Sequence, residues 1–78
     1  MASAATSVAV PERELSVEYE QEADGRWLAE VMDLDGVMAY GTDPQDAVNN
    51  AITLAYRVLA EEAEQHNVKP TSIRFKVA

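Results

Sequence analysis

No cysteine occurs in the 78 residues, which excludes disulfides, thiolate metal sites and cysteine nucleophiles and fits a reducing cytoplasm. Histidine is almost as scarce, since His66 stands alone and cannot supply a histidine-rich metal centre. No stretch is long and apolar enough to span a bilayer, and the opening Met-Ala-Ser-Ala-Ala-Thr-Ser-Val-Ala-Val has no basic residue ahead of its mild apolar run, unlike a secretory signal. These absences predict a soluble, cytoplasmic protein. Positive charge is also short: 6 Lys plus Arg stand against 14 Asp plus Glu, a net charge of −8 at pH 7. Phosphate backbones and anionic membranes are repelled on average, so neither nucleic acid nor membrane is expected as a partner, whereas a basic protein is attracted.

What the chain does contain is two successive periodicities. One small domain is the limit of this length, and a chain this short buries roughly 60% of its unfolded surface, so assembly into a dimer or tetramer is expected to complete its stability. Residues 1–12 read as a flexible tail and residues 13–78 as the single domain. In "ELSVEYEQE", Leu15, Val17 and Tyr19 share one face, while Glu14, Ser16, Glu18 and Glu20 share the other. Asp24-Gly25 then predicts a type I′ hairpin turn, because Gly accepts positive φ. The return strand "RWLAEVM" places Trp27, Ala29 and Val31 on one face and Leu28, Glu30 and Met32 on the other. "DLDG" reads as a second turn before a short third strand, Val37 to Gly41.

From Asp43 the period changes from two to about 3.6. Asp43 is a good N-cap, Pro44 suits the first helical position, and Asp46 places negative charge at the positive end of the helix dipole. Ala47, Val48, Ala51, Ile52, Ala55, Leu59 and Ala63 form the apolar stripe. Leu54, Tyr56 and Val58 lie off its centre, which suggests either a second buried contact such as a subunit interface or ordinary surface residues. The helix is expected to end around Gln65-His66-Asn67, with Asn67 as a left-handed cap and Pro70 beyond it. "TSIRFKV" returns to alternation, Ile73, Phe75 and Val77 inward and Arg74 and Lys76 outward. The predicted class is therefore α+β, a small β-β-β-α-β domain: an antiparallel three-stranded meander packed on one long helix, plus a C-terminal strand that pairs with the meander or with another subunit.

Candidate chemistry is thin. Asp33-Leu34-Asp35-Gly36, after an apolar run, resembles the nucleophile motif of the haloacid dehalogenase superfamily. That reaction needs a central parallel strand, a distant lysine and further carboxylates for Mg²⁺, which belong to a much longer domain. The competing reading makes Asp33 and Gly36 turn residues, with Asp side chains capping backbone N–H groups. A calcium loop does not fit, since the segment runs into a strand. Glu18, Glu20, Asp33 and Asp35 as a two-metal nuclease site would require the outward strand face to be an active site. His66 has no identifiable nucleophile to serve. No catalytic residue, metal site or cofactor is therefore expected. Arg74 and Lys76 are best matched to cross-strand pairing with Glu14, Glu18 and Glu20.

The linear order resembles the HicB-like antitoxin domain between Leu15 and Glu62. The residues that carry the likeness are Asp24-Gly25 in the first hairpin, Met32-Asp33-Leu34-Asp35-Gly36 in the second turn, Gly41 closing the third strand, and Asp43-Pro44-Gln45-Asp46-Ala47 at the helix start. Both prolines of the family's turn are replaced, by Met32 and Asp35. The helix-turn-helix or ribbon-helix-helix segment with which many members bind their operator has no counterpart, so operator binding is not implied. The resemblance implies a partly ribonuclease H-like domain without catalytic activity, which oligomerises and, in antitoxin members, blocks a small basic messenger-RNA interferase, the HicA toxin. Under that reading Glu18, Glu20, Trp27 and Tyr40 are the candidate partner contacts, Asp24, Gly25, Asp33 and Gly36 the turn residues, and Asp43 and Pro44 the helix cap. Two alternatives stay open: an orphan oligomeric domain with a structural or ligand-binding role, and a metal-dependent phosphohydrolase using Asp33 and Asp35.

Overall fold

The computed structural model describes residues 11–66, 69–70 and 72–78. Strands β1 (Glu12–Gln21), β2 (Trp27–Val31) and β3 (Met38–Gly41) precede helix α1 (Pro44–Gln65) and strand β4 (Ser72–Val77). The class is α+β, as the two periodicities predict. The sheet order is β3-β2-β1-β4, with β1 antiparallel to β2, β2 antiparallel to β3, and β4 parallel to β1. Helix length explains the parallel pairing. At about 1.5 Å per residue a helix of this length runs about 33 Å, the same as a ten-residue strand at about 3.3 Å per residue. It therefore carries the chain back along the whole sheet, and β4 starts beside the start of β1, Glu12 opposite Ser72 and Val17 opposite Val77. Of the expected tail, residues 1–10 lie outside the described residues, and Glu12 is already strand.

Alternation decides which face of the sheet meets the helix. Leu15 and Val17 of β1, and Ala29 and Val31 of β2, are buried under Ala47, Val48, Ala51, Ala55 and Leu59 of α1. Leu34 and Val37, from the β2–β3 connection, complete the core. Each of the fully buried Leu15, Val17, Val31 and Val37 contributes about 1.5–3 kcal/mol of transfer free energy. Close approach of the helix start to the sheet depends on Gly41: a Cβ there would stand 2.6 Å from Ala47 Cα and 2.7 Å from the Asp46 carbonyl carbon. Leu54 and Val58 are half-buried and pack against the core, whereas Tyr56 is exposed.

The helix start follows expectation. Asp43 accepts the Asp46 N–H at 2.8 Å and so caps the helix, while the Asp46 carboxylate accepts the Thr42 N–H at 2.9 Å and ties down the residue before the cap. Pro44 occupies the first turn. The helix ends at Gln65, with His66 extended (φ −127°, ψ 157°) and donating its N–H to Glu62 O. The cap expected at Asn67 lies outside the described residues.

The first hairpin differs from the expected two-residue type I′ turn. That turn needs positive φ at both central positions, but only Gly25 has it (φ +93°), and Asp24 does not. Instead Gly25 N–H bonds Glu22 O at 2.9 Å and Glu22 N–H bonds Arg26 O at 2.7 Å, a three-residue loop ending in a glycine bulge. Asp24 favours this form because its carboxylate takes both the backbone N–H of Arg26 (3.0 Å) and its Nε–H (2.8 Å). The second connection is two consecutive turns, Leu34 N–H to Val31 O and Val37 N–H to Leu34 O, with Gly36 at φ +75°. The third strand consequently begins at Met38 rather than Val37, and Met32 falls outside β2.

Candidate functional site

The sheet face away from the helix has no covering layer among the described residues. Strand alternation places there Glu12, Glu14, Ser16, Glu18 and Glu20 of β1, Leu28 and Glu30 of β2, Met38 and Tyr40 of β3, and Arg74 and Lys76 of β4. Register sorts these into three stripes. Leu28 stands opposite Tyr40, and Met38 opposite Glu30, so the β3 side is apolar. Along the middle, Glu18 faces Glu30 directly, and Glu20 faces Leu28. At the β4 edge Arg74 lies opposite Glu14 and reaches its carboxylate at 3.9 Å, while Lys76 lies opposite Ser16.

None of the ion pairs among the described residues reaches the middle stripe. Arg13 pairs with Glu62 at 3.0 Å, Arg26 with Asp24 at 2.8 Å and Arg74 with Glu14 at 3.9 Å; Glu18, Glu20 and Glu30 take part in none of these pairs. Two like charges directly opposite in an antiparallel pair are destabilising by a few tenths to about 1 kcal/mol, so the Glu18–Glu30 arrangement opposes folding. Glu18, Glu20, Glu30, Leu28 and Tyr19 line a shallow depression of about 110 Å³. That is room for the head of one Lys or Arg side chain bearing the complementary charge.

Tyr40 is held in place from below the hairpin. The Arg26 guanidinium stacks 3.9 Å above its ring while bonding Asp24. The backbone N–H of Arg26 and then its side chain hold the Asp24 carboxyl below the usual range, and Asp24 raises Arg26 in turn. Asp24, Arg26, Tyr40, Thr42 and Asp46 border an open groove of about 550 Å³ at this end of the sheet. At the helix N-terminus beside it, the Asp46 N–H is taken by the Asp43 side chain and the Asp46 carboxylate by the Thr42 N–H.

Of the candidate contacts, the structure brings Glu18, Glu20 and Tyr40 onto one face and sets Trp27 on the other. Trp27 shares its side of β2 with buried Ala29 and Val31, packs against the core, and lies 6.2 Å from Tyr19 in a tilted arrangement. Leu28, Glu30 and Met38 belong to the open face and were not among the candidates. Their signal is the same alternation that put Leu28 and Glu30 opposite Trp27 in sequence. Asp33 serves the turn: its Oδ2 accepts the Ser16 N–H at 2.6 Å, tying the β2–β3 connection to β1. Asp35 is exposed. Among the described residues, no group of three or more His, Asp or Glu side chains is placed to hold a metal ion. Among the described residues, no helix is long and apolar enough to cross a membrane. In comparisons with protein-family models, curated proteins and solved structures, nothing matches this chain.

Proposed function

We propose that this chain is a non-catalytic HicB-like, antitoxin-type binding domain, cytoplasmic and homo-oligomeric, that neutralises a small basic messenger-RNA interferase. It needs no cofactor and contacts its partner directly. The observation that supports the reading is the Glu18-Glu20-Glu30 stripe, unpaired by any described cation and bordered by exposed Tyr40 and Met38. Such a surface suits a basic partner in two ways. The acidic stripe steers encounter and raises the association rate, and the aromatic and apolar border supplies the burial that slows dissociation. A second reading, an oligomeric domain without a toxin, draws support from exposed apolar residues elsewhere, Tyr19, Tyr56 and Val77.

The test is purification from the native host at near-physiological salt, with mass spectrometry of what co-elutes. A stoichiometric small basic protein, released by raised salt and not retained by a Glu18→Lys/Glu30→Lys variant, is the expected result. A homo-oligomer with nothing attached would remove the toxin partnership and leave the second reading.

A further inference from the structure

The helix covers only part of the sheet. Its contacts fall on β3, β2 and the adjoining side of β1, and the Asn50 side chain bonds Tyr40 O of β3. At about 100° per residue, Asn50 and Leu54 lie on the flank toward β3, and Ile52 and Tyr56 lie on the opposite flank. There Tyr56 meets Phe75 of β4 edge to face, ring centroids 5.4 Å apart. Beyond this pair no described residue covers the helix side of β4. Val77 is 45% exposed, Tyr56 54% and Tyr19 40%, with Ile73 and Phe75 half-buried beside them.

Tyr56, Ile73, Phe75 and Val77 of this flank are uncharged, and Arg13, which stands opposite Ile73 at its far end, is paired with Glu62. Along the helix it is bordered by Gln45 and Asn49, and along the sheet by Tyr19, Phe75 and Val77, in a chain of net charge −8. The described charges of β1 and β4 other than Arg13 lie on the opposite face of the sheet. A partner selected by charge finds nothing here to recognise. A second copy of the same acidic chain, by contrast, can approach only where its like charges are absent. Edge-to-edge pairing of β4 strands would bring Arg74 and Lys76 of two copies together, so the sheet edge is the less favourable route. We propose that two copies of this chain dock through the Tyr56-Phe75-Val77 flank about a two-fold axis, each helix flank covering the β4 side left bare by the other. The isologous arrangement places every substitution in the interface twice. The inference rests on the oligomeric part of the reading above and is independent of the toxin.

Sedimentation equilibrium of the purified chain from about 5 to 500 μM tests it. Folding of the variants is checked by the helical circular dichroism signal. The expected result is a dimer whose dissociation constant rises at least tenfold in Tyr56→Glu and in Val77→Lys and stays within about twofold in Tyr40→Glu, on the open face. A dimer indifferent to Tyr56→Glu and Val77→Lys, or one lost on Tyr40→Glu, overturns the assigned surface while leaving self-association standing. A monomer at every concentration overturns the surface and the oligomeric reading together.

Discussion

Replacing Gly41 by alanine tests how directly the helix start rests on the sheet. The added Cβ would meet Ala47 N, Ala47 Cα at 2.6 Å and the Asp46 carbonyl carbon at 2.7 Å. All three are backbone atoms, so no side chain can rotate away. Carbon atoms in ordinary contact stand about 3.5–4.0 Å apart, and the first turn must therefore withdraw by about 1 Å. Withdrawal also loosens Ala47, Val48 and Ala51 against Ala29 and Val31, because these sit on the same rigid helix. Overpacking of this kind costs about 1–3 kcal/mol, and the helix shift puts Gly41→Ala at the upper end. A domain of this size has roughly 4–12 kcal/mol in total, at about 0.05–0.15 kcal/mol per residue. With about 4–8 °C in Tm per kcal/mol, the expected fall is roughly 8–24 °C. Thermal unfolding followed by circular dichroism, at one fixed protein concentration because association also moves Tm, is the assay. Gly25→Ala is the comparison: its Cβ meets nothing within 4 Å, and only the strain of φ +93°, about 1–2 kcal/mol, opposes it. A Gly41→Ala protein melting within about 3 °C of the parent, or above Gly25→Ala, would refute the steric reasoning.

Two further outcomes follow from the turns. Asp33→Ala removes the carboxylate that accepts the Ser16 N–H at 2.6 Å, and is expected to lower stability by about 1 kcal/mol in urea unfolding. If the parent shows Mg²⁺-dependent phosphatase turnover that Asp33→Asn abolishes, Asp33 is a nucleophile and the turn assignment is wrong. Asp24 contributes through its lowered pKa: the folded value lies below the unfolded one, so its stabilisation is complete above the unfolded value of about 4 and disappears as pH falls through the folded value. The stability gap between the parent and Asp24→Asn should therefore be constant from pH 7 to 5 and close below about pH 4 in urea titrations, and a gap that widens toward low pH contradicts the Arg26 contacts as its cause.

Local rules made most of the fold legible. Alternation in "LSVEY" and "WLAEV" identifies the buried faces of β1 and β2 without knowledge of their partners, since side chains of a strand must point to opposite sides. Asp43 and Pro44 mark the helix start because capping is a matter of a few adjacent residues. The parallel placement of β4 was not legible in this way. Its pairing joins Glu12 to Ser72 across the whole length of the chain, and nothing in "SIRFKV" distinguishes a parallel from an antiparallel neighbour. The hairpin form was not legible either, because Asp-Gly is compatible with two loop forms and the choice between them lies in the bonds from Asp24 to Arg26. Trp27 and Tyr40 are both aromatic, but the parity of Trp27 with Ala29 and Val31 assigns it to the helix side and separates it from Tyr40.

Strand order also determines how the two proposed surfaces relate. With β4 beside β1, the sheet is four strands wide, about 14 Å between its outer strands at roughly 4.8 Å spacing, and a single helix of about 10 Å diameter cannot cover it. The shortfall falls on the β4 side because α1 leaves β3 across a tight Gly41 contact and stays close to it. The uncharged flank is thus a consequence of topology, and the acidic stripe is a consequence of alternation in β1. They occupy opposite faces of the same sheet. Two copies joined through the flank leave both acidic faces free, so self-association and capture of a basic partner do not compete for surface. The complex consistent with both proposals has two copies of this chain and two of the partner, and a partner that displaced the dimer would show that one of the two surfaces is misassigned.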